Sequence, residues 1–382
     1  MTTTMTRAGE STVGGGCLLL AFELSERTWK LGFTIGRGQR PRVRQIPAGA
    51  LDRLAEEIAR AKSRWQLAPA TAVRSCYEAG REGFWLHRHL VAHGITNVVV
   101  DSSSIEVNRR ARRAKTDGLD LAGLLTLLER HARGERRVWH VVRVPSVAEE
   151  DARHLHRGRE TLQQERTRLI NRLHGLLTTQ GLQLPLHADF LERLAAARLW
   201  DGAPVPAGLA QRLRRVWRHL VFLNAELAAV DAERAALATA AATESGRWAA
   251  QLQTVQGIGA IGAWCLSTEI FGWRQIRHGR ELGALVGIVP APYQSGETTH
   301  DQGITRAGNR HVRRMMVQLA WSWLRYQPTS ALSRWYRTRF SQSRRLRRIG
   351  IVALARKLLI ALWRYGESGT VPEGALLKSR VA

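Results

Sequence analysis

Three short strand-like runs, at 17–22, 72–77 and 97–100, each lead straight into a carboxylate: Glu23, Glu78 and Asp101. The first, unbroken and apolar, and the last, with three successive valines, suit buried strands. A second strand is expected over 29–35. The turn residues Ser25, Glu26 and Arg27 leave room only for a hairpin between it and the first. Helical periodicity occupies 51–65 and 84–92. A hairpin followed by alternating strands and helices describes an α/β domain with a mixed sheet. Ligands collect at the carboxyl ends of strands in open α/β sheets. A carboxylate there is also an ordinary solvated turn residue, and the residues alone leave both readings open.

The next acids arrive in Ala114-Lys115-Thr116-Asp117-Gly118-Leu119-Asp120. Asp117 and Asp120 are three residues apart at the start of an apolar helix, which puts them on one face, one turn apart. Two carboxylates so placed suit a hard divalent cation such as Mg2+ (or Mn2+), which takes oxygen ligands and keeps positions for water and phosphate. Arg109, Arg110, Arg112, Arg113 and Lys115 stand just before them and suit a polyanion. The same acids also fit a helix start, Asp117 as a cap and Asp120 at the positive end of the dipole.

From about residue 147 the pattern becomes helical. Leu155, Leu162, Leu169, Leu173 and Leu176 share one face. After a Pro- and Gly-containing break, Leu209, Leu213, Val216, Leu220, Leu223, Leu227 and Val230 recur at steps of four and three. That is a heptad seam. It predicts two long antiparallel helices, serving either as a self-association element or as a pair packed on its own core. Beyond residue 245, Val255-Gln256-Gly257-Ile258-Gly259 resembles a helix-hairpin-helix turn, with Gly257 and Gly259 able to bring backbone N–H groups to a phosphate. Tyr293-Gln294-Ser295-Gly296 reads as an exposed tight loop. The run 304–310 then leads into a helix that starts with Arg313 and Arg314, and a further basic-apolar segment occupies 344–363. The expected organisation is a leader at 1–15, the α/β domain at 16–146, a helical spacer at 147–244 and a mainly α domain at 245–382.

Lys and Arg total 58 against 32 Asp and Glu, a formal net charge of +26, spread along the whole length. Nucleic acid is the partner such a balance fits. Three scattered cysteines make no C-x-x-C pair, which argues against a disulfide framework or a zinc site and for a reducing cytoplasm. The first residues carry no apolar signal segment, no apolar run approaches a membrane span, and no G-x-x-x-x-G-K-[ST] phosphate loop occurs.

Taken in order, these motifs resemble the DEDD transposases of the Piv/MooV DNA-invertase type, the insertion sequence 110 family, over nearly the whole chain. Acids after the first strand, at a central strand and in K-x-D-x-x-D map to Glu23, Glu78, Asp117 and Asp120. V-x-G-I-G, G-I-V-P, S-G and I-T-R-x-G-N-R map to 255–259, 287–290, 295–296 and 304–310. The resemblance implies a RuvC-like (RNase H-type) α/β domain, a coiled-coil-like spacer and a mainly α C-terminal domain bearing a serine. It implies that the four acids bind Mg2+, that Ser295 is the nucleophile, and that Arg306 and Arg310 clamp phosphate oxygens. The partners it implies are element-end and target DNA, a structured guide RNA that reads sequence by pairing, and a second copy of the chain, in a dimer or tetramer. A phosphoserine link conserves the energy of the broken bond, in keeping with the missing phosphate loop. One departure stands out: the family's first acid is usually Asp, and here it is Glu23, a methylene longer.

Overall fold

The computed structural model describes residues 16–36, 38–80, 83–105, 117–135, 138–239, 243–295 and 298–378; for Ser103, 117–120, Thr239, 292–295 and 298–302 it describes the backbone alone. The basic run at 109–113 and Lys115 lie outside the described residues. Two compact units divide the chain at 144/145. Among the described residues no helix is long and apolar enough to cross a membrane.

The first unit is a five-stranded sheet in the order β3-β2-β1-β4-β5, built from β1 (Leu18–Leu24), β2 (Thr28–Thr34), β3 (Arg42–Pro47), β4 (Val73–Glu78) and β5 (Thr96–Val100). β1, β2 and β3 are antiparallel neighbours, while β4 and β5 run parallel to β1. The expected hairpin and mixed directions are therefore present. β1 is apolar from Leu18 to Phe22 because both its faces are covered there. Leu18, Leu20 and Phe22 pack with α1 (Leu51–Arg64) and α2 (Trp85–Ala92); Leu19 and Ala21 pack under α3 (Asp117–Ala132). β3 escaped the sequence reading. It is an edge strand carrying Arg42 and Arg44, with Val43 exposed, so it lacks the apolar run of a central strand.

In the second unit α4 (Val147–Thr178) and α6 (Ala207–Thr239) form the antiparallel pair that the heptad pattern predicts, with the short α5 (Phe190–Ala196) between them. Leu209, Leu213, Val216 and Leu220 bury against Leu173, Leu177 and Phe190. Arg159 makes a two-pronged pair with Asp231 at 2.8 and 2.9 Å, and Arg166 Nε donates to Asn224 at 2.6 Å. Within the chain, Leu213 and Leu220 of the seam pack on its own core, one of the two roles that the pattern left open.

α7 (Glu244–Gln253), α8 (Ala260–Leu266), α9 (Gly279–Val286), α10 (Arg310–Tyr326), α11 (Ala331–Phe340) and α12 (Arg344–Ser368) pack around Trp264, Met316, Trp323, Leu354 and Leu358. α8 runs on into a π-helical turn, Ser267–Phe271. There Ser267 and Thr268 donate back to the carbonyls of Ala263 and Trp264 at 2.8 and 2.9 Å, a bonding that competes with regular helix. A correction concerns the tight loop read at 293–296 and the polar residues after it. They form a two-stranded hairpin, β6 (Pro290–Ser295) and β7 (Thr298–Ile304). Pro290 and Pro292 in one strand and polar residues in the other hide it from pattern reading.

Candidate active-site elements

Within the first unit the geometry brings all four acids to one edge. Phe22 pairs with Tyr77 across the parallel β1–β4 ladder, so Glu23 and Glu78, each the next residue, are neighbours where both strands end. The pleat alternates faces along a strand. Glu23 falls in phase with Leu19 and Ala21, and Glu78 with Cys76, so both take the face that α3 covers. Glu23 is half-buried and Glu78 exposed. Burial, with the Glu78 charge adding to it, pushes the Cys76 thiol well up and keeps it protonated. Asp101 falls one residue after Val100, out of phase with that face, and its carbonyl accepts from Ser104 N in a 3-10 turn.

The direction of α3 places the second pair of acids. Leu121 lies over Gly32, where a Cβ would come within 2.8 Å of its Cγ, and Gly32 pairs with Ala21. Farther along the helix, Glu129 reaches Gly36 beyond the end of β2, and Arg74, near the start of β4, donates to Ala132 O at 3.1 Å. The helix therefore runs antiparallel to β1 and β4, and its N-terminus returns to the edge that holds Glu23 and Glu78. Asp117 lies about 6 Å along the helix from Leu121, and Glu23 lies about 7 Å along β1 from Ala21, so the two heights match. Among the described residues no group of three His, Cys, Asp or Glu side chains is poised around an ion; the side chains of Asp117 and Asp120 lie outside that set. Glu23 and Glu78 at two strand ends, with the backbone of Asp117 and Asp120 beside them at a helix start, are residue types that suit a hard divalent cation.

In the second unit Ser295 closes β6 and pairs with Thr298, so its backbone stands at the far end of the hairpin. The hairpin's root is tied down closely. Thr305 N donates to Val289 O, Arg306 N to Gly287 O and Asn309 N to Leu285 O, at 3.0, 3.1 and 2.8 Å. Gly287 and Gly308, at φ +70 and +100, interlock: a Cβ on Gly287 would meet Ala307 O at 1.9 Å, and one on Gly308 would meet Leu285 O at 2.2 Å. Arg306 holds a left-handed backbone, φ +55, unusual for a side-chain-bearing residue. Its side chain and that of Arg310 are exposed. Arg313, expected to meet nucleic acid, instead donates from one Nη1 to Val286 O and Arg306 O at 2.8 and 2.9 Å. Arg314, also expected to do so, pairs with Glu160.

Behind this root the Asn of the 304–310 motif meets residues that no sequence motif pointed to: Arg157, Glu160 and Glu269. Asn309 caps α10, accepting from the N–H groups of His311 and Val312 at 3.0 and 3.1 Å, and its amide donates to Glu269 Oε2 at 2.6 Å. Arg157 of α4 grips both Glu269 oxygens at 2.7 and 2.9 Å. Burial pushes the Glu269 carboxyl up, but Arg157 and Asn309 outweigh it and hold the group below its ordinary range. Glu160 is likewise lowered against its burial by His311 and Arg314. His156 is buried beside Glu160, its ring nitrogens without a hydrogen bond among the described residues; burial lowers its pKa against the pull of Glu160 and Glu269. An Asn opening a helix is a sequence signal for a cap. Arg157 and Glu269, 112 residues apart, carry none.

The turn at 254–259 links α7 to α8 as expected, but its glycine serves packing. Gly257, at φ +88, lets α10 approach: a Cβ there would sit 3.1 Å from Tyr326, and Ser322 donates to Gly257 O at 2.7 Å. Gly259 is the N-cap of α8, with open space where a Cβ would stand.

Comparison with known proteins adds a further finding. Residues 249–337 match the family model described as Transposase IS116/IS110/IS902 family. The chain is 39% identical to the putative transposase y4rJ of Sinorhizobium fredii over 381 residues, covering 95% of each chain. It is 30% identical to the transposase for insertion sequence element IS1328 of Yersinia enterocolitica over 57% of this chain and 63% of that one. It is also 30% identical to the transposase for insertion sequence element IS1111A of Coxiella burnetii, over 57% and 59%.

Proposed function

Because this chain belongs to the IS116/IS110/IS902 family of transposases, we propose that it cleaves and rejoins DNA at the ends of an insertion sequence with Glu23, Glu78, Asp117, Asp120 and Ser295. The observation that carries the reading is the convergence of both strand-end acids and the start of α3 on one edge of the sheet. The strand order β3-β2-β1-β4-β5, with its antiparallel half and parallel half, supports a RuvC-like assignment. The four carboxylates would hold Mg2+ or Mn2+, which when bound polarises the scissile phosphate and stabilises charge on the attacking and leaving oxygens.

The Ser295 hydroxyl forms the new bond to phosphorus as the bond to the leaving deoxyribose oxygen breaks, and the serine proton ends on that oxygen. A serine is a weak nucleophile until activated. Arg306 and Arg310, exposed at the hairpin's root, suit the non-bridging oxygens. A structured RNA and a second protomer complete the proposed assembly, supported by the net charge of +26 and by the family.

The test mixes protein, element ends, the RNA transcribed from them and Mg2+, then denatures and looks for DNA bound covalently to protein. Ser295→Ala should lose the adduct and recombination yet keep nucleic-acid binding. Normal recombination by that variant, or an adduct mapped to another residue, overturns the serine assignment and leaves a metal-only nuclease. Glu23 favours a second reading, a catalytically impaired copy, because its longer side chain must fit a cation site that demands close to octahedral geometry. Strand exchange that appears only with Glu23→Asp would establish it.

A further inference from the structure

Between Asp301 and Glu367 the chain holds fifteen Arg and Lys residues and no Asp or Glu. The proposed chemistry uses only the first few of them. Six others gather where α11 meets α12. Arg337 and Arg339 close one helix, and Arg344, Arg345, Arg347 and Arg348 open the next; all six are exposed. Among the described residues none of the six pairs with a carboxylate. Arg334, earlier in α11, lies 3.6 Å from the exposed Glu373.

This arrangement works against the stability of the helix that bears it. The N-terminus of a helix carries the positive end of the dipole and favours acids, yet the first five residues of α12 include four arginines and no acid. Arg344 also stands at i,i+3 and i,i+4 from Arg347 and Arg348, where like charges repel. The backbone of the corner is nonetheless fixed. Gly350 admits Phe340 so closely that a Cβ would meet its ring at 2.4 Å, Tyr336 Oη donates to Arg347 O at 3.3 Å, and Ser343 caps α12 by accepting from Leu346 N at 3.1 Å. A rigid frame thus presents charge of the sign that only an anion neutralises.

The aromatic rings say which kind of anion fits. Single-strand binding uses exposed rings on which bases stack. Here Tyr336 is buried, Phe340 is packed on Gly350, and Lys357 covers Trp335 at 4.8 Å from its centroid. The corner offers guanidinium groups without a stacking platform, which suits the phosphates of a paired backbone.

We propose that the α11–α12 corner is a docking surface for the backbone of duplex DNA, held independently of sequence. The choice of DNA rests on the transposase reading; the duplex-phosphate chemistry does not.

The experiment measures binding of the full chain to a short DNA duplex of arbitrary sequence across a range of salt. One variant carries Arg344→Gln, Arg345→Gln, Arg347→Gln and Arg348→Gln. A control carries Arg212→Gln, Arg214→Gln, Arg215→Gln and Arg218→Gln on the exposed face of α6, which removes the same charge. Each lost phosphate contact lowers the slope of log affinity against log salt by about 0.9. The α12 variant should therefore lose roughly 2 or more in slope and at least about tenfold in affinity at moderate salt, with its circular dichroism unchanged and the control losing clearly less. Equal losses in both variants, or none in the α12 variant, overturn the proposal. A loss confined to a duplex RNA of the same sequence overturns the choice of DNA. No strand transfer is needed, so a chain inert in recombination can still pass this test, and failure here leaves the cleavage chemistry intact.

Discussion

The strand-end edge of the sheet and the root of the β6–β7 hairpin are both built around carboxylates, and they treat them in opposite ways. At the root, Glu160 and Glu269 are buried and paired: Arg157 of α4 and Asn309, His311 and Arg314 at the start of α10 meet their oxygens. At the edge, Glu78 is exposed and makes no ion pair among the described residues, Glu23 is half-buried beside it, and the start of α3 returns over both. A carboxylate surrounded by guanidinium groups has its charge neutralised by the protein and serves the fold. Carboxylates gathered at one edge repel each other, and a bound cation relieves that repulsion. Of these acids, burial alone would have singled out Glu160 and Glu269, the pair that serves the fold.

The largest effect expected from breaking this contrast is at the edge. Glu78→Ala or Asp120→Ala should lower strand cleavage by on the order of 10²–10³-fold or more, the range for removing one preorganised electrostatic group, with thermal stability changed by less than about 0.5 kcal/mol. Cleavage at the wild-type rate by the double variant would sink the cation assignment. Leu213→Ala, in the seam between α4 and α6, removes a side chain that is 0% exposed and should cost about 2–5 kcal/mol. The cost should be the same at every protein concentration, because the seam closes within one chain. If it shrinks on dilution, the seam is shared between copies.

At the root, Glu269→Ala should leave cation binding at the edge untouched and destabilise the second unit. Removing one partner of a buried pair typically costs about 3–5 kcal/mol. About 2–3 is expected here, since Arg157 is 40% exposed and can turn to water. Denaturant unfolding measures it, and a loss below about 0.5 kcal/mol would strip Glu269 of its structural role.

The smallest effect is a pH dependence of the same cluster. His156 titrates below its ordinary 6.5, burial being the first cause, with Glu160, Glu269, His311 and Arg159 facing it. The unfolded chain therefore takes up its proton first, so this contribution is full above pH 6.5 and fades as pH falls through the lowered value. Glu160 and Glu269, also lowered, add a further loss below their ordinary 4.5. Melting temperature should fall from pH 7 to pH 5 and more steeply below 4.5, and His156→Phe should flatten the first of these steps. An unchanged profile in that variant would remove His156 from the account.

The sequence by itself determined what depends on neighbours along the chain. Apolar runs marked β1 and β5, the apolar ends of a strand-like run marked β4, and steps of four and three marked α6. Acids at strand ends and at a helix start needed only local spacing, and the ordered motifs of the C-terminal half sufficed for the family. Tertiary structure alone decided what those pieces meet. The run of α3 back along β1 brings the start of the helix to Glu23 and Glu78, and helix direction leaves no trace in local pattern. Contact between α4 and α6 turned a possible interface into an internal seam, because an apolar stripe does not say whose partner it is. Glu269 found Arg157 across 112 residues, and Arg313 spent its charge on two carbonyls, because a polar side chain's partner is set by the packing of whole helices.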